Sequence, residues 1–241
     1  MMSALPVHIK MLEQVANALG EEFRQQMTFV GGCTTGLLLT DEYTKEQVRH
    51  TDDVDLIVHA MGYVEFHKLQ KSLQERGFTI PSPVPGEESP ICAMQLGDLR
   101  VDFMPDDEGV LGFGNRWYQG AMETAECYNL TTELSIKLVT PVYFLATKLE
   151  AYKGRGNNDA LGSRDIEDIL NLVDGREELL GEVQLASLEL QQYISKELTP
   201  LLSDTNFEYA VQSQSKGDEG RESLIFERLE ALASYTIDGS E

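Results

Sequence analysis

Three aspartates and a pair of glycines carry the spacing that could do chemistry. Phe29-Val30-Gly31-Gly32 is followed, further along the chain, by Arg49-His50-Thr51-Asp52-Asp53-Val54-Asp55-Leu56-Ile57-Val58. Val54, Leu56, Ile57 and Val58 are the residue types that fill a half-buried pleat, so this segment predicts a strand. Alternation then puts Asp53 and Asp55 on one face, turns Val54 and Leu56 into the core, and leaves Asp52 out of phase, facing away. Two carboxylates about 7 Å apart along one strand repel each other unless a cation sits between them. A hard divalent ion, Mg²⁺ or Mn²⁺, takes such oxygens and completes its shell with water and phosphate. Gly31 and Gly32 bare the backbone, so a phosphate can approach it closely. Asp102, in Val101-Asp102-Phe103 on a separate strand, is the candidate third carboxylate, bridging an ion and helping to activate an acceptor hydroxyl. Ions held by three carboxylates beside a phosphate turn suit chemistry at the α-phosphorus of a nucleoside triphosphate. The bland alternatives are two exposed carboxylates on an edge strand, a plain Gly-Gly turn, and a surface residue on a half-buried hairpin.

Around these residues the chain supplies elements to position them. Ile9, Leu12, Val15, Ala16 and Leu19 have helical spacing, with Gly20 as the stop. Met27 to Val30 predicts a strand leading into the glycines, and Thr34 to Leu39 the start of a helix whose amides add anion-binding character. Asp41 to Gln47 reads as an exposed connection. A helix over Tyr63 to Arg76 carries Val64, Leu69 and Leu73 and ends at Gly77, before a strand at Phe78-Thr79-Ile80. Pro81, Pro83, Pro85 and Pro90 mark a mobile surface loop. Ile91 to Leu96 and Leu99 to Met104, joined by Gly97-Asp98, predict a β-hairpin. Glu108 to Gly120 reads as a loop and Leu134 to Val139 as a strand.

Thr140-Pro141 opens a helix carrying Val142, Leu145, Ala146, Leu149 and Tyr152. Lys148 on this helix either snorkels to solvent or neutralises a triphosphate as a point charge. Gly154 to Asp159 breaks the helix, and Ser163 caps another over Arg164 to Val173, where Arg164 and Asp165 could form a simple salt bridge. From Glu177 onward the chain is acidic and helix-prone, broken near Pro200 and over Gln212 to Gly220, and reads as two or three helices with a frayed C-terminus.

The chain has 241 residues, 41% of them hydrophobic, and a formal net charge of −22. Such a chain can bury a full core, and its charge repels polyanions, which argues against extended nucleic-acid binding. No apolar run reaches the roughly 18 residues of a membrane span, and the N-terminus lacks a secretory pattern. Three widely spaced cysteines suit free thiols in a reducing cytoplasm.

The order Gly-Gly, Arg-x-Thr-x-Asp-x-Asp, then a lone Asp on a later strand resembles the nucleotidyltransferase superfamily of the polymerase-β type. Lys148-Leu-Glu-Ala-Tyr-Lys153-Gly-Arg155 followed by Arg164-Asp165-Ile166-Glu167-Asp168 is similar to the signature of its AbiEii-type branch, which contains toxins of toxin–antitoxin pairs. The resemblance spans roughly residues 25 to 175. It implies an α+β nucleotidyltransferase fold: a mixed, twisted sheet flanked by helices, with a C-terminal helical extension. Residues 1–139 would be the core, and residues 140–241 a helical region completing the nucleotide site. Metal roles fall to Asp53, Asp55 and Asp102, and triphosphate binding to Gly31, Gly32, Thr34, Arg49 and Lys148. Asp165 takes a polar active-site role. Two departures stand out: Gly32 replaces a phosphate-touching serine, for which Thr34 or Thr35 could substitute, and an insertion around Asp41 to Gln47 must loop out.

The expected function is a Mg²⁺-dependent nucleotidyltransferase moving a nucleoside monophosphate onto a tRNA end, a protein hydroxyl or a small molecule, in a toxin–antitoxin or phage-defence setting with an antitoxin protein as possible partner. Alternatives are a catalytically degenerate scaffold that binds a basic partner, and a kinase-like phosphotransferase.

Overall fold

The computed structural model describes residues 3–82 and 90–234. In chain order these form α1 (Leu5–Arg24), β1 (Met27–Val30), a 3-10 turn (Gly32–Thr34), α2 (Thr35–Leu38), α3 (Glu42–Lys45), β2 (Asp53–Val58), α4 (Tyr63–Gln74), β3 (Ala93–Leu96), β4 (Leu99–Pro105) and α5 (Tyr118–Glu123). Then come β5 (Glu126–Asn129), β6 (Ser135–Leu138), α6 (Pro141–Arg155), α7 (Arg164–Gly175), α8 (Leu179–Leu185), α9 (Leu188–Leu201), α10 (Thr205–Ser215) and α11 (Glu219–Ala233). The chain divides into one unit built from Met1–Thr34 and Arg49–Thr140 and a second built from Thr35–Val48 and Pro141–Glu241. The class is α+β, as the sequence led us to expect.

The first unit is a six-stranded mixed sheet in the order β3-β4-β2-β1-β6-β5, flanked by helices. β2 lies near its centre, antiparallel to β1 and parallel to β4. Register aligns Leu138, Phe29, Leu56 and Phe103 in one row across four strands, all buried. Phe78 meets Phe103 edge to face at 5.4 Å between ring centroids. Burying each such side chain contributes about 1.5–3 kcal/mol, and one slip of register would expose the whole row. On the opposite face α5 covers the far end, where the Tyr118 hydroxyl donates to Met104 Sδ at 3.0 Å.

α1 buries His8, Leu12, Val15, Ala16 and Leu19 along one stripe. Gly20 interrupts its helical dihedrals at φ 71°, yet the chain resumes helical geometry to Arg24 rather than stopping there. In α4 the buried stripe is Phe66, Gln70 and Leu73, while Val64 is exposed. Phe78-Thr79-Ile80 is no strand, since only Thr79 makes an isolated bridge to Gln95. The tract expected to be a loop gives way at Tyr118 to α5. Most of the proline-marked loop, residues 83–89, lies outside the described residues, as does the expected frayed C-terminus at 235–241.

The second unit is helical. α7 is buried along most of its length, from Asp165 and Ile166 through Asp168 to Gly175, as befits a helix with neighbours all round. Ser163 Oγ accepts from Ile166 N at its start, and Arg228 Nη1 donates to the Val173 and Asp174 carbonyls at its end. Asp41 to Gln47 is not an exposed connection. Asp41 caps α3 by accepting from Thr44 N at 3.0 Å, Thr44 is fully buried, and Arg221 bonds Asp41, Thr44 and Asp174 together. The Thr44 side-chain hydrogen bond, helped by Arg221, holds the Asp41 carboxyl down at about 2. Among the described residues four helices follow Glu177, where two or three were expected; Pro200 sits inside the last turn of α9.

Candidate metal centre

Strand β2 presents Asp53 and Asp55 half-buried on one face, and keeps Val54 and Leu56 fully buried on the other. Asp52 is exposed and outside the strand. Parallel pairing sets Asp102 of β4 directly beside Asp55. One carboxylate oxygen from each of Asp53, Asp55 and Asp102 lies within 4.8 Å of the other two. The three aspartates singled out in the sequence therefore converge, on the face where alternation put them.

β1 delivers Gly31 to the same spot. Val30 pairs with Asp55, so the next residue leaves the strand beside that carboxylate. A Cβ on Gly31 would fall 1.9 Å from Asp55 Oδ2, and its φ of +83° is one that L-residues rarely adopt. Glycine is thus required twice, once for the turn and once for the room Asp55 occupies. Gly32 begins the 3-10 turn, and the buried Thr34 hydroxyl donates to the Gly31 carbonyl at 2.8 Å, tightening it. Arg49, half-buried, donates to the His50 carbonyl at 3.2 Å.

Residues to which the sequence reading gave no role of their own hold the carboxylates in place. The Thr51 hydroxyl donates to Asp53 Oδ1. His8, wholly buried on α1, accepts from the Thr51 backbone N–H through Nε2 at 3.3 Å, and its carbonyl accepts from Cys33 Sγ at 3.7 Å. An accepting Nε2 makes the imidazole neutral, with its proton on Nδ1. One helix residue therefore ties the glycine turn to the residues leading into β2. Arg100 grips Asp102 with a two-pronged bond, Nε to Oδ1 at 2.9 Å and Nη2 to Oδ2 at 2.7 Å. That bond, with the charges of Asp102 and Asp53, raises the guanidinium's already high pKa. The period-2 rule that pairs Asp53 with Asp55 also puts Arg100 on the face of Asp102, so the signal was present in Arg100-Val101-Asp102.

Two buried thiols register the negative field. Burial first, then Asp55 and Asp53, pushes the Cys33 thiol far up, and burial followed by Asp102 pushes Cys92 to about 12. Neither is a nucleophile at neutral pH. Hard oxygen donors, two half-buried and one buried, mutually repelling beside a bare glycine, fit a divalent cation such as Mg²⁺ or Mn²⁺.

Lys148 and Asp165 belong to the second unit. Lys148 does not reach solvent: its Nζ lies 2.6 Å from Asp168 and 3.4 Å from Asp165, with 8% of the side chain exposed. Thr35 donates to Asp168 at 3.3 Å, so its hydroxyl too is engaged there. Asp165 pairs with Arg155 through two bonds of 2.8 and 2.9 Å rather than with Arg164. Burial would raise the Asp165 pKa, but the Arg155 hydrogen bond and the Lys148 charge outweigh it and hold the carboxyl below its ordinary value.

No protein-family model matches the chain, and no curated protein matches it significantly.

Proposed function

We propose that Asp53, Asp55 and Asp102 bind divalent metal ions and that the protein is a metal-dependent nucleotidyltransferase with a nucleotidyltransferase-type core. The observation that carries this reading is the convergence of three carboxylates from two paired strands beside a glycine that must lack a side chain. A pair of Mg²⁺ ions would supply charge neutralisation at the triphosphate and a lowered pKa for the attacking hydroxyl. The protein's own part is positional. Asp53, held by Thr51, and Asp55, close against Gly31, present oxygens on an interior strand of the sheet. Asp102 is the base that takes the acceptor hydroxyl's proton. The hydroxyl oxygen bonds to the α-phosphorus, the bond from that phosphorus to the bridging oxygen breaks, and pyrophosphate leaves. The bare backbone of the Gly31-Gly32 turn would meet the triphosphate, with Thr34 and Arg49 in the chain segments that flank the site.

The acceptor class follows from chemistry rather than from any contact: a hydroxyl on a tRNA end, a protein or a small molecule. The charge of −22 disfavours long polyanions. Among the described residues no helix is long and apolar enough to cross a membrane.

The direct test is incubation with each α-labelled nucleoside triphosphate, Mg²⁺ and a cell lysate. Label should pass to a macromolecule or metabolite with release of pyrophosphate, and Asp55→Asn should lower the rate by at least about 10³-fold. Transfer that survives in Asp55→Asn would reject the mechanism. A second reading, a binding scaffold without catalysis, draws on the Arg100 grip on Asp102; it expects no turnover with any triphosphate.

A further inference from the structure

We infer that Arg100 is a built-in counter-cation of the carboxylate triad, competing with the divalent metal for Asp102 and giving it up when the metal binds. This rests on the metal reading proposed above. Register makes the case geometric. Asp53 pairs with Arg100 and Asp55 with Asp102, so three negative groups and one positive group occupy the four corners of one patch on the sheet. The guanidinium engages both oxygens of Asp102, at 2.9 and 2.7 Å, in the charge-assisted fork that is strongest between arginine and a carboxylate. One of those two oxygens is the atom that Asp102 offers to the metal. A guanidinium and a divalent ion on one carboxylate repel each other across a few ångströms, so each weakens the other's hold.

Exposure decides which partner moves. Asp102 has 11% of its side chain exposed, on a short stem from a buried strand, whereas 47% of Arg100 is exposed on a long flexible one. The carboxylate stays, and the guanidinium swings into solvent. Asp53 takes the neutral Thr51 hydroxyl, whereas Asp102 is held by a cation through both of its oxygens. The consequence is a reversed sign. Were the Arg100–Asp102 bond only a fastening of the site, removing it would loosen the carboxylate and weaken metal binding. If Arg100 competes, removing it strengthens metal binding.

The test is Mn²⁺ titration of the 241-residue chain, followed by the loss of the free-ion paramagnetic resonance signal, in wild type, Arg100→Gln, Arg100→Lys and Asp55→Asn. Arg100→Gln should bind Mn²⁺ about fivefold or more tightly than wild type. Arg100→Lys, which keeps the charge and loses the fork, should fall between them. Thermal unfolding identifies any variant that fails to fold, and the lysine variant then decides by the same comparison. Equal or weaker binding in the Arg100 variants, with Asp55→Asn still impaired, overturns the competition and leaves the metal site standing. No Mn²⁺ binding by wild type or by Arg100→Gln overturns both.

Discussion

At the scale of the residue, the site depends on which atoms are missing as much as on which are present. Gly31→Ala would force a Cβ into the Asp55 carboxylate and place an L-residue at a φ of +83°. The backbone cost alone is about 1–2 kcal/mol. The expected outcome is a lowered melting temperature together with metal affinity weakened at least about tenfold, and wild-type affinity in this variant would show that Asp55 does not ligate. His8 acts one step further out. His8→Phe leaves the buried Thr51 amide without its acceptor, a loss of about 1–3 kcal/mol in a denaturant titration. Because Thr51 in turn fixes Asp53, Thr51→Val and His8→Phe should be non-additive in metal affinity. Thr51 stood in the Arg-x-Thr-x-Asp-x-Asp order without a role of its own, whereas His8 was not legible as a site residue at all. The histidine is remote in sequence, and only the packing of α1 brings it to the chain leading into β2.

At the scale of the element, strands were legible where apolar residues mark them and illegible where pairing alone makes them. β2 and β4 announce themselves by alternation, so the spacing of their residues was enough to place the three aspartates. β5, with Glu126, Cys127 and Asn129 exposed, has no apolar rhythm and exists through its ladder with β6. α3 was missed because its signal is a single cap, Asp41, and a threonine that Arg221 draws inward. Two outcomes belong at this scale. Leu56→Ala, in the middle of the four-strand row, should cost about 2–5 kcal/mol in a denaturant titration, and a smaller loss would mean that the row repacks. At the other end of β2 and β4, His59 Nδ1 meets Asp106 Oδ2 at 2.6 Å, and this hydrogen bond, with the carboxylate's charge, raises the histidine's pKa. Its contribution is therefore complete below the unfolded value of about 6.5 and disappears as pH rises through the higher folded value. The stability difference between wild type and His59→Gln should shrink from pH 6 towards pH 9; a constant difference would deny the pair any charge.

At the scale of the whole molecule, charge is the dominant fact, and the sequence alone was enough to read it. A net charge of −22 strains a folded chain through self-repulsion. Raising salt from about 0.01 M to about 0.15 M shortens the screening length from about 30 Å to about 8 Å and should raise the melting temperature. A flat or falling response would mean that local pairs such as Arg221 with Asp41 and Asp174 already cancel the strain. The α+β class was likewise legible, because its elements alternate by period. The pairing of Lys148 with Asp168 was not, since spacing along α6 cannot say what faces it. The proposed chemistry returns to three carboxylates and the metal they hold. Calorimetric titration of Mg²⁺ into wild type, Asp53→Asn and Asp55→Asn tests this most directly. Saturable binding in wild type, weakened at least about tenfold in each variant while both remain folded, is the expected result; indistinguishable binding in all three would contradict it.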